Sequence, residues 1–166
     1  MATMPCIVSR AVERNPCAVR SYDGVMPEDY AALVAHVRDT QTITIVTTRS
    51  DGTPVAAPIW AVVVDGVPYV RAAYGGRTSW FARAVSGRPV TVSLADGSVA
   101  ERDREAALED PQVMVAVRHL EATGPVQDEV TAAYEAKYLP TSPENVPSVT
   151  DEAAVARTLA LLPPAD

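Results

Sequence analysis

The sequence predicts an α+β protein in which short antiparallel strands curl into a small barrel flanked by helices. Three observations carry that expectation. Alternating, β-branched runs recur across residues 42–103, Asp-Gly pairs punctuate them, and amphipathic helical stripes stand before and after them.

The elements follow in order. Residues 1–24 mix Pro, Arg, Asn and Gly without periodicity and read as an N-terminal extension, leaving 25–166 as a single domain. Tyr30, Leu33, Val34 and Val37 keep helical spacing, and Pro27, Glu28 and Asp29 suit a helix start, so a helix is expected from Pro27 to about Thr40. Strands are then expected at 42–48, 55–64 and 67–73, with Asp51-Gly52 and Asp65-Gly66 between them as hairpin turns. A short helix over 78–85 follows Gly75 and Gly76. Residues 89–95 and 98–103 suggest a third hairpin across Asp96-Gly97.

Residues 112–124 read as a long strand with Val113, Val115 and Val117 on one face and Met114, Ala116 and Leu120 on the other. Apolar residues on both faces imply burial on both sides, or a core on one side and a dimer interface on the other. Val130, Ala133, Tyr134 and Tyr138 mark a helix over 127–138. Residues 139–152 are proline-rich and polar and read as a loop, and the apolar tail RTLALLPP is expected to form a closing strand. Closure into a barrel would remove the exposed edges of such strands.

Composition bounds the function. The 166 residues suffice for one domain with a sizeable core, and no apolar run reaches the roughly 18 residues of a membrane span. Residues 1–20 hold no apolar run suited to a signal peptide, so cytoplasmic residence is expected. The formal net charge of −7 argues against a general nucleic-acid binder. Lys137 is the only lysine, so a bound phosphate would meet mainly guanidinium groups and backbone N–H. Cys6 and Cys17 both lie in the extension and, with only His36 and His119 available, offer no metal spacing. His36 falls off the apolar stripe of its helix and reads as solvated; His119 reads as a rim or interface residue. No hydrolase, kinase or zinc motif occurs.

Two clusters could carry chemistry. In the first, Arg71 is followed by Tyr74-Gly75-Gly76-Arg77-Thr78-Ser79-Trp80. The glycines allow close backbone approach, and Arg77 with the Thr78 and Ser79 hydroxyls supplies donors for a phosphate. The same residues equally suit a plain strand-to-helix turn with its cap. The second cluster is Ala56-Ala57-Pro58-Ile59-Trp60. Proline donates no ladder bond, so Pro58 marks an edge or a bulge, the alanines leave room for a planar ring, and Trp60 could wall it. A kinked barrel strand with a core tryptophan explains the pattern as well.

The ordered motifs T-T-R-x-D-G-x-P (Thr47–Pro54), P-I-W (Pro58–Trp60), Y-V-R (Tyr69–Arg71), the Gly75/Gly76-to-Phe81 segment and A-Y-x-A-K-Y (Ala133–Tyr138) resemble the pyridoxamine-phosphate-oxidase-like split barrels. The resemblance spans about residues 39–139 and points to a small, largely uncharacterised branch. It implies a six-stranded antiparallel split β-barrel with flanking helices, a homodimer, and FMN or the 5-deazaflavin coenzyme in a groove between subunits. Carried over, Ala57, Pro58 and Ile59 offer backbone to the ring, Arg71, Arg77, Thr78 and Ser79 cradle the phosphate, and Trp80 packs beneath it; Trp60, Gly75 and Gly76 of the two clusters complete the candidate set. Arg49, Lys137 and Tyr138 are further candidates that would reach across the dimer. Hydride transfer on a small organic substrate is the implied activity, with no catalytic side chain and no metal assigned. Two alternatives stand beside it: a ligand-binding module, and a cofactor-independent enzyme acting on a hydrophobic metabolite. The N-terminal extension, and arginine where many members place a lysine, depart from the family pattern.

Overall fold

A computed structural model describes residues 26–74 and 78–165. The extension with Cys6 and Cys17, and the central triplet Gly75, Gly76 and Arg77, lie outside the described residues.

Helix α1 (Glu28–Asp39) starts at Pro27 and buries Tyr30, Leu33 and Val37. Strands β1 (Ile43–Thr48), β2 (Pro54–Ile59), β3 (Ala61–Val64) and β4 (Val67–Arg71) follow, then the short helix α2 (Ser79–Ala84) and strand β5 (Val90–Ser93). Next come helix α3 (Ser98–Arg102), a 3-10 turn at Ala106–Leu108 and strand β6 (Gln112–His119). Helices α4 (Pro125–Tyr138), α5 (Pro147–Thr150) and α6 (Glu152–Val155) precede strand β7 (Thr158–Leu162).

The strands form one curled antiparallel sheet, a half-barrel in the order β2-β1-β5-β6-β7-β4-β3. Seven strands stand where the resemblance implies six; against the elements read from the sequence, 98–103 is not a strand and the 54–64 stretch is broken at Trp60 into two strands. Its first part pairs with β1 (Pro58 opposite Thr44) and its second with β4 (Ala61 opposite Val70). The two ends of the sheet are therefore consecutive in the chain, hinged at one residue. β6 spans the halves in the same way, pairing with β5 through Gln112–Val115 and with β7 through Ala116–His119. Pro58 lies on an edge strand, where its missing N–H costs no ladder bond.

The main core fills the space between α1 and the sheet, with Leu33, Ile43, Ile45, Val70, Val92, Leu159 and Leu161 fully buried. A second core packs Val130, Tyr134 and Tyr138 of α4 against Val62, Tyr69 and Ala160. Each such aliphatic side chain contributes about 1.5–3 kcal/mol on burial.

Three expectations need correction. Residues 98–103 are not a strand: Asp96 Oδ1 accepts the Ser98 N–H at 2.8 Å and starts α3 instead of a hairpin. Gly97 is required there for close approach rather than for positive φ. Its N–H donates to Thr42 O at 2.8 Å, and an added Cβ would meet Thr42 O and stand 2.6 Å from Thr42 C. A Gly97→Ala variant is expected to lose about 1–3 kcal/mol, read as a lower urea midpoint with an unchanged m-value. The 139–152 segment is not wholly a loop, since Pro147 opens α5 and Asp151 caps α6 by accepting the Ala154 N–H at 2.7 Å. His36, expected in solvent, is half-buried and contacts Thr40 Oγ1 at 3.2 Å. The tail strand β7 lies between β6 and β4, at the middle of its half of the sheet.

Candidate functional site

The break at Trp60 leaves backbone groups without ladder partners, and buried polar groups of that kind need others. Helix α4 supplies them. Tyr134 Oη donates to Trp60 O at 3.1 Å and accepts the Arg71 N–H at 3.1 Å. Tyr138 Oη accepts the Ala61 N–H at 3.1 Å and donates to Gln41 O at 2.7 Å. Lys137 Nζ donates to Ala61 O at 2.8 Å and to Val37 O at 2.6 Å. The Trp60 ring stacks on Tyr138 with centroids 4.0 Å apart and planes 5° from parallel. The A-Y-x-A-K-Y motif is thus a clasp on the hinge.

That placement corrects two candidates. Neither Lys137 nor Tyr138 lines the cavity described below; both hold the strand break from behind it. Burial lowers the Lys137 pKa to about 8, offset in part by Asp39. Because this folded pKa is below the unfolded value, the unfolded chain binds the extra proton between the two. Stability is expected to rise with pH from about 8 toward the ordinary lysine value of 10.5, and a Lys137→Met variant to lose that rise. Thermal melts across pH 7–10 check it.

On the other side of the hinge lies a cavity of about 500 Å³, lined by Ala57, Pro58, Ile59 and Trp60 from the broken strand. Ala73, Tyr74, Thr78, Ser79, Trp80 and Arg83 close it along the β4–α2 connection. Glu101 and Arg104 stand on one rim and Asn145, Ser148 and Val149 on another. The volume falls within the usual range of small-molecule sites. The two clusters singled out in the sequence therefore share one cavity. Trp80 is buried in the main core, while Trp60 is half-buried.

Arg71 does not have the role given to it. Arg71 lines the cavity but is 2% exposed, and all five of its guanidinium N–H groups donate to the protein. Nε donates to Thr158 Oγ1 at 3.0 Å; Nη1 donates to Thr131 Oγ1 at 2.9 Å and Val149 O at 3.1 Å. Nη2 donates to Gln127 O at 3.1 Å and Gln127 Oε1 at 2.9 Å. No donor remains for a phosphate. Burial lowers its pKa, and the acceptors around it are all neutral.

Arg49 is exposed at the β1–β2 turn and does not line the cavity. Gly75, Gly76 and Arg77 fall outside the described residues. Thr78 and Ser79 do line it, and Thr78 Oγ1 is buried with no hydrogen-bond partner among the described residues.

Sequence reasoning placed Tyr74 in a candidate cluster without a role and missed Arg83. Tyr74 is 63% exposed at the cavity with φ 58, a left-handed conformation that a bulky residue adopts only under constraint. Arg83 stands one turn beyond Ser79 on α2 and donates to Ser79 Oγ at 2.9 Å, an i, i+4 spacing visible in the sequence. Among the described residues the lining contains no His, Cys or Met, and no group of three or more metal-ligating side chains occurs.

A second, shallower hollow of about 370 Å³ runs along β6, lined by Val85, Pro89, Met114, Ala116 and His119. His119 is exposed at the strand end, with Nε2 2.8 Å from Ala156 O and its ring edge-on to Phe81. No helix among the described residues is long and apolar enough to cross a membrane.

Among solved structures, the fold is similar to that of HutZ, the heme storage protein from Vibrio cholerae. The TM-score is 0.53 at 10% identity, covering 81% of this chain and 89% of that one. A heme binding protein from Mycobacterium smegmatis superposes with a TM-score of 0.48 at 17% identity, covering 83% of this chain and 52% of that one. A conserved hypothetical protein from Mycobacterium tuberculosis gives 0.46 at 16% identity, with 84% and 81% covered. No curated protein sequence matches the chain. The family model described as an uncharacterized protein conserved in bacteria, DUF2255, matches residues 33–161, and the chain belongs to that family.

Proposed function

We propose that this protein is a ligand-binding split barrel of the pyridoxamine-phosphate-oxidase-like superfamily, and that its cavity takes a planar conjugated molecule of the flavin class. One observation carries the reading: the proline-bearing edge strand and the Thr78–Trp80 segment face the same 500 Å³ cavity. Ala57, Pro58 and Ile59 give a narrow backbone strip for a flat ring, with Trp60 and Tyr74 as aromatic walls. Thr78 Oγ1 and Ser79 would donate to a phosphate, with Arg77 beside them in sequence. FMN and the 5-deazaflavin coenzyme both suit that donor set, and either would supply hydride-transfer chemistry when bound. This chain's part is to bind and orient the ring and to keep water from one face. Binding, rather than turnover, is the role the lining supports, because Glu101 is the only carboxylate and no histidine or thiol reaches the cavity among the described residues.

HutZ stores heme, so hemin is the natural competitor. Protein groups that hold heme iron are chiefly His, Cys, Met and Tyr, and Tyr74 is the only one among the described lining residues. The test is a set of absorbance titrations with FMN, the 5-deazaflavin coenzyme and hemin. Saturable one-to-one binding of a flavin, weakened by about 1.5–3 kcal/mol in Arg77→Ala, is the expected result. Hemin binding abolished by Tyr74→Phe, with no flavin bound, would replace the flavin by heme.

The same reading makes the protein a cytoplasmic homodimer. Val85 (44% exposed) and Met114 (53% exposed) leave apolar surface along β6, beside which a second copy could pack.

A further inference from the structure

One side of the cavity carries positive charge that neither the fold nor a flat ring accounts for. Arg83 and Arg104 both line it, from α2 and from the segment after α3. Arg83 is braced by two bonds, Nε to Thr47 Oγ1 at 2.8 Å and Nη1 to Ser79 Oγ at 2.9 Å. Its other three N–H groups have no protein partner among the described residues. Arg88 docks on the same end of β1, donating from Nε to Thr48 O at 2.7 Å, and Arg49 follows directly in the chain. Three guanidinium groups therefore gather around residues 47–49, with Arg104 near enough for its charge to act on Arg83.

No carboxylate acts on Arg83 itself, although Arg49 stands near enough to Asp51 to lower the pKa of that acid. The Arg83 pKa is lowered first by burial and then by the charges of Arg49, Arg88 and Arg104, with no acid acting in the opposite direction. The only ion pair within 4.0 Å among the described residues is Arg38–Asp39, on α1. Glu101 shares the cavity rim but pairs with none of the four. In a chain of net charge −7, three arginines thus add their charge to that of Arg83, and none of the four is in an ion pair within 4.0 Å among the described residues. Mutual repulsion of this kind costs stability, and a bound multivalent anion would reverse its sign. The buried, unpartnered Thr78 Oγ1 lines the same cavity and offers one more donor.

We infer that this arginine cluster is an anion subsite in which Arg83 and Arg104 contact a phosphate or a comparably charged group at the α2 end of the ligand. Arg83 takes the place that sequence reasoning gave to Arg71. Arg49 and Arg88 act through the field they add. The inference rests on the cavity being a ligand site, and it narrows the occupant to a molecule with an anionic arm.

Two measurements test it on the full chain. In the first, thermal unfolding is followed in inorganic pyrophosphate and in sodium chloride of matched ionic strength. Wild type is expected to melt higher in pyrophosphate, and an Arg83→Gln/Arg104→Gln double variant to lose the difference. A control lacking the same number of charges, Arg102→Gln/Arg118→Gln, should keep it. In the second, FMN and riboflavin are titrated into wild type and double variant. FMN is expected to bind wild type about 10- to 100-fold more tightly than riboflavin, and the ratio to collapse in the double variant. Equal binding of both flavins to both proteins would overturn the anion subsite and leave the ring site standing. If no flavin binds, the ring reading fails and the pyrophosphate melts decide alone: no advantage over chloride in wild type overturns the subsite.

Discussion

An Arg71→Met variant is expected to lose about 3–5 kcal/mol of stability, a drop large enough to halve that of an ordinary domain. The size follows from the geometry. Five hydrogen bonds join the end of β4 to α4, to the α5 turn and to β7, across sequence separations of 56 to 87 residues. Removing the guanidinium strands Gln127 O, Val149 O and two threonine hydroxyls in a region where Gln127 and Thr158 are buried. Methionine fills the stem volume and escapes the cost of burying a charge, which keeps the loss below the sum of five bonds. Lysine should rescue poorly, because three rotating donors cannot reproduce the planar fork. Urea denaturation reads all three proteins. A midpoint for Arg71→Met within error of wild type would mean that the buried guanidinium is dispensable.

The second large effect is expected at Tyr138. This side chain is fully buried, stacks on Trp60 and bonds the backbone of Ala61 and of Gln41. Tyr138→Ala should cost about 3–5 kcal/mol, through the cavity it opens and the contacts it removes. Tyr138→Phe keeps the ring and loses only the hydroxyl, leaving the Ala61 N–H and Gln41 O without their partner. About 1–3 kcal/mol is expected there. The pair separates two roles of one residue. Phenylalanine keeps Trp60 stacked and the cavity wall in place, so ligand affinity should survive in Tyr138→Phe and fall in Tyr138→Ala. Chemical denaturation and ligand titration on the same samples distinguish the outcomes. Equal ligand affinity in both variants would show that the hinge stack does not shape the cavity.

The parts of this fold that were legible in the sequence are those governed by local pattern. The α1 stripe at Tyr30, Leu33 and Val37 and the β-branched run of β1 announce themselves by spacing alone. Asp65-Gly66 behaves as its composition demands, with φ 49 and 76. Asp96-Gly97 carries the same letters and does something else, because the need for glycine arises from Thr42, a residue distant in sequence that no local pattern reveals. Trp60 was legible as a wall of the slot but not as the break in its strand. The strand propensity of 55–64 is continuous, and only the pairing of its halves with different partners divides it.

The candidate site was half legible for a related reason. Pro58 and the Thr78–Trp80 segment stand out as residue types, and they do meet at one cavity. Arg71 also stands out, yet an arginine in a motif reads alike whether its donors face a ligand or five protein acceptors. The acceptors come from Gln127, Thr131, Val149 and Thr158, which tertiary structure alone assembles. Arg83 was missed for the opposite reason: on a short helix, away from the glycines, it looks like a solvated surface charge until Thr47 and Ser79 fix it beside the cavity.

Both tryptophans of the chain, Trp60 and Trp80, line the cavity, so intrinsic fluorescence reports on that space without any label. Titration of FMN into the wild-type protein, followed by tryptophan emission, is therefore the most direct test. Saturable quenching at one flavin per chain, reduced by about half in Trp60→Phe by the loss of one of two emitters, is the expected result. Emission that stays unchanged through additions of FMN, the 5-deazaflavin coenzyme and hemin would contradict a ligand site between the broken strand and α2.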